Sequence, residues 1–449
     1  MKFYKLLNPV VLSIFIAGSL SVSVSYAVDD GSSINPSPVA NTKSHKKKDK
    51  NKHKEKVEIN QLSEAGRVLP PTVFPYPASI KPAVEFWKKI YSQYDKDHSV
   101  IHDTRYFVIY SVVDVNQSTE GADDDLAVAS PSRKGRIAEE KSKALSILNK
   151  LAAGGYDPKQ LTGEEARIYH LFDNIDDPQK FANAADPERI RSQRGQKDKF
   201  LTAIPNSGKY LTEMEDILMS RGVPWEISRL AFVESMFNLQ ARSSVGASGL
   251  WQFMPYTGKL YMTVNAQIDE RNDPIEATHG AAQLLKYNYE QLGNWALAIN
   301  AYNSGLQTLA NAKAATGTDD IGTIITSYNG GVYKFASRNF YPCFLAVLEI
   351  SNNYKTYFGD LPRSPRMTYE SVRVDSPIRL SELAMQTGVS VETLRELNPA
   401  FHSSYFQAAK PFPSGYSLKV PKDSSEKFAQ AIQNIQNSKY ESTTQVVSR

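Results

Sequence analysis

The chain has 449 residues, a net charge of +4 and a single cysteine, Cys343. That length allows two to four domains, and the near-average apolar content (41%) excludes both a wholly disordered chain and a multispan membrane protein. The small charge excess argues by itself for neither a nucleic-acid nor a membrane-surface partner. One cysteine excludes an internal disulfide and any cysteine-rich zinc or iron–sulfur centre.

Lys2 and Lys5 precede an apolar stretch from Val10 to Leu20, and Ser25-Tyr26-Ala27 follows. This order predicts a Sec-type signal peptide over residues 1–27, with an uncleaved anchor as the alternative. No cysteine lies near the cleavage site, so no lipid anchor is expected at the N-terminus, and the expected location is the periplasm or cell envelope. Residues 28–60 form a basic arm in which Lys43 to Lys56 carries eight lysines against Asp49 and Glu55. Such a run repels itself and is expected to be disordered. It reads either as a solvated spacer or as a tether drawn to an anionic envelope surface. An exported chain does not meet nucleic acid.

Residues 61–205 read as mostly helical. Phe86, Trp87, Ile90, Tyr91 and Tyr94 recur at helical spacing, as do Ile137, Ala144, Leu145, Leu148 and Leu151, with a polar loop over 116–136 between them. Tyr106 to Tyr110 is a buried strand or a buried helical turn; periodicity leaves both open. His98 and His102 stand four apart beside Asp103, but no further ligand cluster accompanies them, so a structural role is expected and no metal site.

The chemistry concentrates in residues 206–360. A helix from Lys209 to Arg221 ends at Gly222, and a second is expected over Pro224 to Ser235. On that second helix Val223, Ile227, Leu230 and Glu234 fall in one stripe, so Glu234 continues an apolar face. A buried carboxylate is costly unless protonated, paired or functional, and burial raises its pKa toward the range of a general acid. The alternative is a structural pair with Arg229 or Arg242. Downstream, Ser243 to Gly249 is a loop of small residues able to approach a ligand closely. Leu250 to Tyr256 then sets large apolar faces beside the amide of Gln252. Flat rings for sugar C–H faces and amides for hydroxyls suit a polysaccharide cleft, although any one ring also suits a core. Asp273-Pro274-Ile275-Glu276 is a helix start, with Asp273 as cap. Ala301-Tyr302-Asn303-Ser304-Gly305 brings a phenol and an amide to a helix end, and Phe340-Tyr341-Pro342 opens an apolar helix over Phe344 to Ile350.

Three of these segments together resemble the family 1 lytic transglycosylases of the membrane-bound murein D type. They are Glu234-Ser235, Gly246-Ala247-Ser248-Gly249-Leu250-Trp251-Gln252-Phe253-Met254-Pro255, and Ala301-Tyr302-Asn303-Ser304-Gly305. The run Ile190 to Gln196 also resembles the stretch that precedes the domain in such proteins. The resemblance implies a mainly α fold with a lysozyme-like catalytic domain and no cofactor. It implies cleavage of peptidoglycan strands between N-acetylmuramic acid and N-acetylglucosamine, with Glu234 as the single acid and base. By the same resemblance Ser243, Gln252 and Met254 would meet substrate, Tyr302 and Asn303 would position the sugar and Glu234, and Tyr341 would close the far wall. Relatives carry Glu-Thr-Arg-x-Tyr-Val before the last helix. Here Ser337-Arg338-Asn339-Phe340-Tyr341-Pro342 lacks the acid. Were Asp269, Glu270 or Asp273 to face the cleft, a two-carboxylate hydrolase would become the alternative.

After a linker at Arg363 to Arg366, residues 366–421 read as strand, helix, helix, strand. Leu383-Ala384, Gly388-Val389-Ser390 and Leu397-Asn398-Pro399 resemble a LysM glycan-binding module, with Asp375-Ser376-Pro377 in place of the usual Gly-Asp-Thr. Glycan binding and plain packing both remain open for it. Residues 422–449 are expected to form a short helix, Glu426 to Ile435, and a polar tail.

Overall fold

The computed structural model describes residues 73–114, 133–407 and 410–447, with side chains to residue 438. The expected signal peptide, the basic arm and most of the 116–136 loop lie outside the described residues.

Helix α1 (Lys81–Ser92) begins on Pro82 and buries Phe86, Trp87, Ile90 and Tyr91, the expected stripe. The next elements depart from a wholly helical reading. Strands β1 (His98–Asp103) and β2 (Ile109–Asp114) pair antiparallel, and a third, Ile190–Arg194, joins the other edge of β1. Phe107, at φ 59°, makes the turn between β1 and β2, so Tyr106 to Tyr110 is a turn running into a strand. Successive side chains of a strand point to opposite faces. Val100 therefore enters one core and the adjacent Ile101 another, and the sheet divides the two. Ile190–Arg194, here β3, is polar in composition yet strand in structure because it hydrogen-bonds along β1 from Ser99 to Asp103.

The smaller core lies under α2 (Arg133–Ala153), α3 (Gly163–His170) and α4 (Lys180–Ala184), with Ala144, Leu148 and Leu151 packed beside Tyr110 and Phe172. At its rim the fully buried Asp103 accepts from Arg189 Nη2 (2.9 Å) and Nε (3.1 Å), and from the backbone N–H groups of Arg105 and Tyr106. His98 and His102 hold no metal geometry. His98 pairs with Asp95 at 2.7 Å, while burial among Phe86 and Phe107 pushes the His102 imidazole down to about 3. Among the described residues no three potential ligands cluster.

The larger core is built by α5 (Lys197–Ser207), α6 (Leu211–Ser220), α7 (Leu230–Ser235), α8 (Pro255–Tyr261), α9 (Pro274–Leu292), α10 (Trp295–Ser304), α11 (Leu306–Thr316), α12 (Ile321–Ser327), α13 (Phe335–Asn352) and α14 (Tyr354–Phe358). The expected helix over 224–235 is tighter at its start: Trp225–Arg229 is a 3-10 turn that leads into α7. Helix α13 is longer than its apolar stretch and runs through Pro342. Against it lies α1, whose Trp87 indole donates to Asn339 Oδ1 at 2.7 Å. Both α1 and α5, which begin before residue 206, share this core. Cys343 is fully buried there, its thiol pushed up by desolvation.

A third core forms between β4 (Tyr369–Val374), α15 (Leu380–Thr387), α16 (Val391–Leu397) and β5 (Tyr416–Pro421), the expected βααβ order. Helix α17 (Ser425–Val447) adds Phe428, Ala431, Ile432 and Ile435, so this core reaches past Pro421 into the segment read as a tail. Among the described residues, no helix is long and apolar enough to cross a membrane.

Removing one partner of a buried ion pair strands the other. Asp103→Ala is expected to destabilise the protein by about 3 kcal/mol in urea unfolding. A loss under about 1 kcal/mol would show that the Asp103–Arg189 pair does not hold the sheet to its rim.

Candidate active site

Glu234 sits one residue before the end of α7 and is 3% exposed. The helix stops because Met236 and Phe237 both take left-handed backbone, at φ 52° each, a conformation that costs about 1–3 kcal/mol per non-glycine residue. The chain thus turns sharply just after the carboxyl group. Ser235 fixes the turn, donating from Oγ to the carbonyls of Ala231 (3.0 Å) and Leu250 (2.9 Å). Glu234 Oε1 is buried with no hydrogen-bond partner, and burial alone pushes the carboxyl up to about 8. Arg229, one of the two cations that were candidates to pair with it, is instead bonded to Glu215. Burial therefore favours the protonated form of the carboxyl group near neutral pH.

The loop from Ala241 to Met254 folds over this group. The Ser243 hydroxyl accepts from Ala247 N at 2.8 Å, and Ser243 N donates to Ala247 O at 2.9 Å, which closes a small ring. Gly249 has φ +76° and lies against the Arg271 carbonyl, where an added Cβ would stand 1.7 Å from the oxygen. Arg271 in turn donates to the carbonyls of Gly246 and Phe253, both at 2.9 Å. Gln252, at φ 48°, donates its amide to Ala241 O (3.1 Å) and Gly249 O (2.8 Å).

Glu234 and Gln252 line one cavity of about 1360 Å³, together with the stretch Ser235 to Arg242. Met236, Phe237 and Asn238 are thus wall residues that sequence reasoning missed; the only signal was their place directly after Glu234-Ser235. Tyr302 is buried on α10 near enough for its phenol to feel the Glu234 charge, and it donates to Trp251 O at 2.8 Å. Asn303, 6% exposed, follows it in the last turn of α10. Ser243 and Met254 lie in the covering loop but outside the lining of this cavity; Met254 is the cap residue of α8.

Tyr341 requires a correction. It is fully buried, its hydroxyl donates to Pro75 O at 2.9 Å, and it does not line the cavity. Aligned on Arg338, the pattern Glu-Thr-Arg-x-Tyr-Val places Ala336 at the acid and Phe340 at the aromatic position. Tyr341 is one residue further on, about 100° around the helix.

The downstream acids are all engaged. Asp269 lines the cavity but accepts from Arg271 Nε (2.8 Å) and Nη2 (2.7 Å). Glu270 accepts from Thr263 N at 2.5 Å. Asp273 caps α9, accepting from Ile275 N and Glu276 N, as the sequence predicts.

The helical domain thus buries Glu234, with no hydrogen-bond partner at Oε1, beside the Ala241 to Met254 loop. Residues 215–325 match the family described as Transglycosylase SLT domain, and residues 368–437 match that described as Lytic transglycosylase MltD, LysM-like domain. The chain carries both domains, in the order that its resemblance implied. It is similar to membrane-bound lytic murein transglycosylase D of Escherichia coli, strains K12 and O6:H1, with 27% identity over 219 residues, 47% of this chain and 46% of the relative. A transglycosylase of Enterobacteria phage PRD1 is 34% identical over 111 residues, 25% of this chain and 36% of that protein. The chain thus spans about half the length, or less, of these relatives.

The burial of Glu234 has a measurable sign. Its carboxyl titrates near 4.5 when unfolded and at about 8 when folded, so between those values the folded state holds the proton that the unfolded state has lost. Stability falls as pH rises across that window and levels off above it. Glu234→Gln carries no such penalty. Its stability advantage over wild type should grow from near zero at about pH 4 to a few kcal/mol at about pH 8, read from urea midpoints. An advantage that does not change with pH would disprove the raised pKa.

Proposed function

We propose that the protein is a lytic transglycosylase that cleaves the β-1,4 bond between N-acetylmuramic acid and N-acetylglucosamine in peptidoglycan. The observation that carries this reading is Glu234, a carboxyl group whose protonated form burial favours and whose Oε1 has no partner, in a large cavity also lined by Asp198, Asp269, Glu392 and Glu396, of which Asp269 is tied to Arg271 and Glu392 to Arg395. A hydrolase of the common kind needs two working carboxylates. One carboxyl group suffices if the substrate supplies its own nucleophile. Glu234 gives its proton to the glycosidic oxygen as the C1–O bond breaks. It then takes the proton of the muramic 6-hydroxyl, whose oxygen bonds to C1. The product ends in a 1,6-anhydro ring, water is not consumed, and Glu234 is again protonated.

Gln252 faces the sugar from the cavity wall, Ser243 holds the loop that carries it, and Tyr302 with Asn303 sets the position of Glu234 from α10. Met254 acts from behind the cavity wall, as the cap residue of α8. The similarity to a murein transglycosylase supports peptidoglycan as substrate, and the chain's signal-like N-terminus supports an envelope location. There the Lys43 to Lys56 arm meets an anionic surface.

Digestion of purified sacculi followed by mass spectrometry tests the reading. The expected muropeptides are lighter by one water than hydrolytic products. Glu234→Gln should lower the rate by roughly 10²–10⁴. Wild-type activity should fall as pH rises through about 8, where Glu234 loses its proton. Incorporation of oxygen from labelled water would identify a hydrolase instead.

A further inference from the structure

The cavity that holds Glu234 is not closed by the lysozyme-like domain alone. Its opposite side is built by the C-terminal module, from Glu392, Arg395 and Glu396 on α16 and from the loop Pro399 to Phe406. The module is seated there by several independent contacts. Asp269 N donates to Ala400 O at 2.8 Å, and Ile268 pairs with Phe401 as a short antiparallel bridge. Lys419 Nζ lies 2.7 Å from Asp273 Oδ2, with Asp273 buried and Lys419 part-buried, and Tyr369 donates to Glu213 at 2.8 Å. The segment read as a linker is itself pinned: Ser364 N donates to Pro205 O and Met367 N to Lys209 O, both at 3.0 Å.

We propose that the LysM-like module is a fixed wall of the catalytic cleft, and that Arg395, His402 and Phe406 bind the same glycan strand whose scissile bond faces Glu234. This rests on the reading of the substrate given above. Three observations support it. The two surfaces bound one continuous cavity of about 1360 Å³, beyond the roughly 300–1,000 Å³ of sites for small ligands and suited to a polymer. The residues on the module side have the chemistry for sugars: a half-buried ring at Phe406, an exposed imidazole at His402, and the exposed guanidinium of Arg395, which is paired with Glu392 at 2.6 Å. Finally, the loop Asp375-Ser376-Pro377, which departs from the usual LysM sequence, does not line the cavity, so its change leaves this face intact.

Binding of defined glycan oligomers to the full-length Glu234→Gln protein, by calorimetry, tests the proposal without requiring turnover. The triple change Arg395→Ala, His402→Ala, Phe406→Ala, all at partly or fully exposed positions, should weaken binding of long oligomers by at least about tenfold, with little effect on a disaccharide. Lys419→Met, which loosens the seat but leaves the three residues in place, should weaken long oligomers in the same direction. An unchanged affinity in the triple variant overturns the proposal. So does a Lys419→Met protein that is folded, has a released module and still binds long oligomers as wild type does, since the module would then bind independently of the cleft. If Lys419→Met fails to fold, the triple variant decides alone. Failure of the substrate reading is separate: the Glu234→Gln parent would then bind no glycan of any length.

Discussion

A carboxyl group held dry and without a cation is the constraint on which the catalytic domain is organised. An isolated ionised carboxylate in such a place is so unfavourable that the group keeps its proton instead. Glu234 meets that condition because Arg229, five residues earlier on the same segment, is occupied by Glu215, and because nothing but burial shifts its titration. The ion pair beneath the helix matters to chemistry for this reason. A guanidinium free to reach Glu234 would draw the carboxyl group into ionisation and remove the acid.

Keeping such a group reachable requires the chain to break helix geometry beside it. The left-handed pair Met236–Phe237 and the left-handed Gln252 are three non-glycine residues in a costly conformation, and all three line the Glu234 cavity. What holds them is a set of side-chain donors and close packing on backbone carbonyls. Ser235 bonds to Leu250 O, Gly249 lies on the Arg271 carbonyl, and Arg271 clasps the Gly246 and Phe253 carbonyls. Arg271 also pairs with Asp269, so one side chain both builds the loop and ties up an acid of the cavity wall.

These local relations explain what was legible in the sequence. Glu234 stood out because it occupied an apolar helical stripe, and Gly249 and Gln252 because they sit in a short motif of fixed spacing. The βααβ module was readable from its alternation and its helix stops. The N-terminal sheet was not, because β1 is buried on both faces and β3 is polar, so neither shows the period of two that marks a half-exposed strand. Tyr341 is bonded to Pro75 O, and neither it nor its neighbour Phe340 lines the cavity, so an aromatic on an apolar helix did not tell a wall position from a core one. The module's seat was invisible for a different reason. Ile268 meets Phe401 across more than a hundred residues, and no local pattern signals such a contact.

That seat bears on how a small module can matter to a cleft. A binding unit on a loose tether raises the local concentration of substrate but leaves its orientation free, and each capture must order both the linker and the strand. Here the linker is already ordered by hydrogen bonds to Pro205 and Lys209. The Lys419–Asp273 pair, with Asp273 buried and Lys419 part-buried, adds little net stability, since desolvation largely offsets its attraction, but it penalises any other docking geometry that would leave Asp273 buried and alone. Asp273 also caps α9, whose first turn adjoins Arg271 and the motif loop. Orientation of the module and the start of α9 are thus referred to the same carboxylate, Asp273.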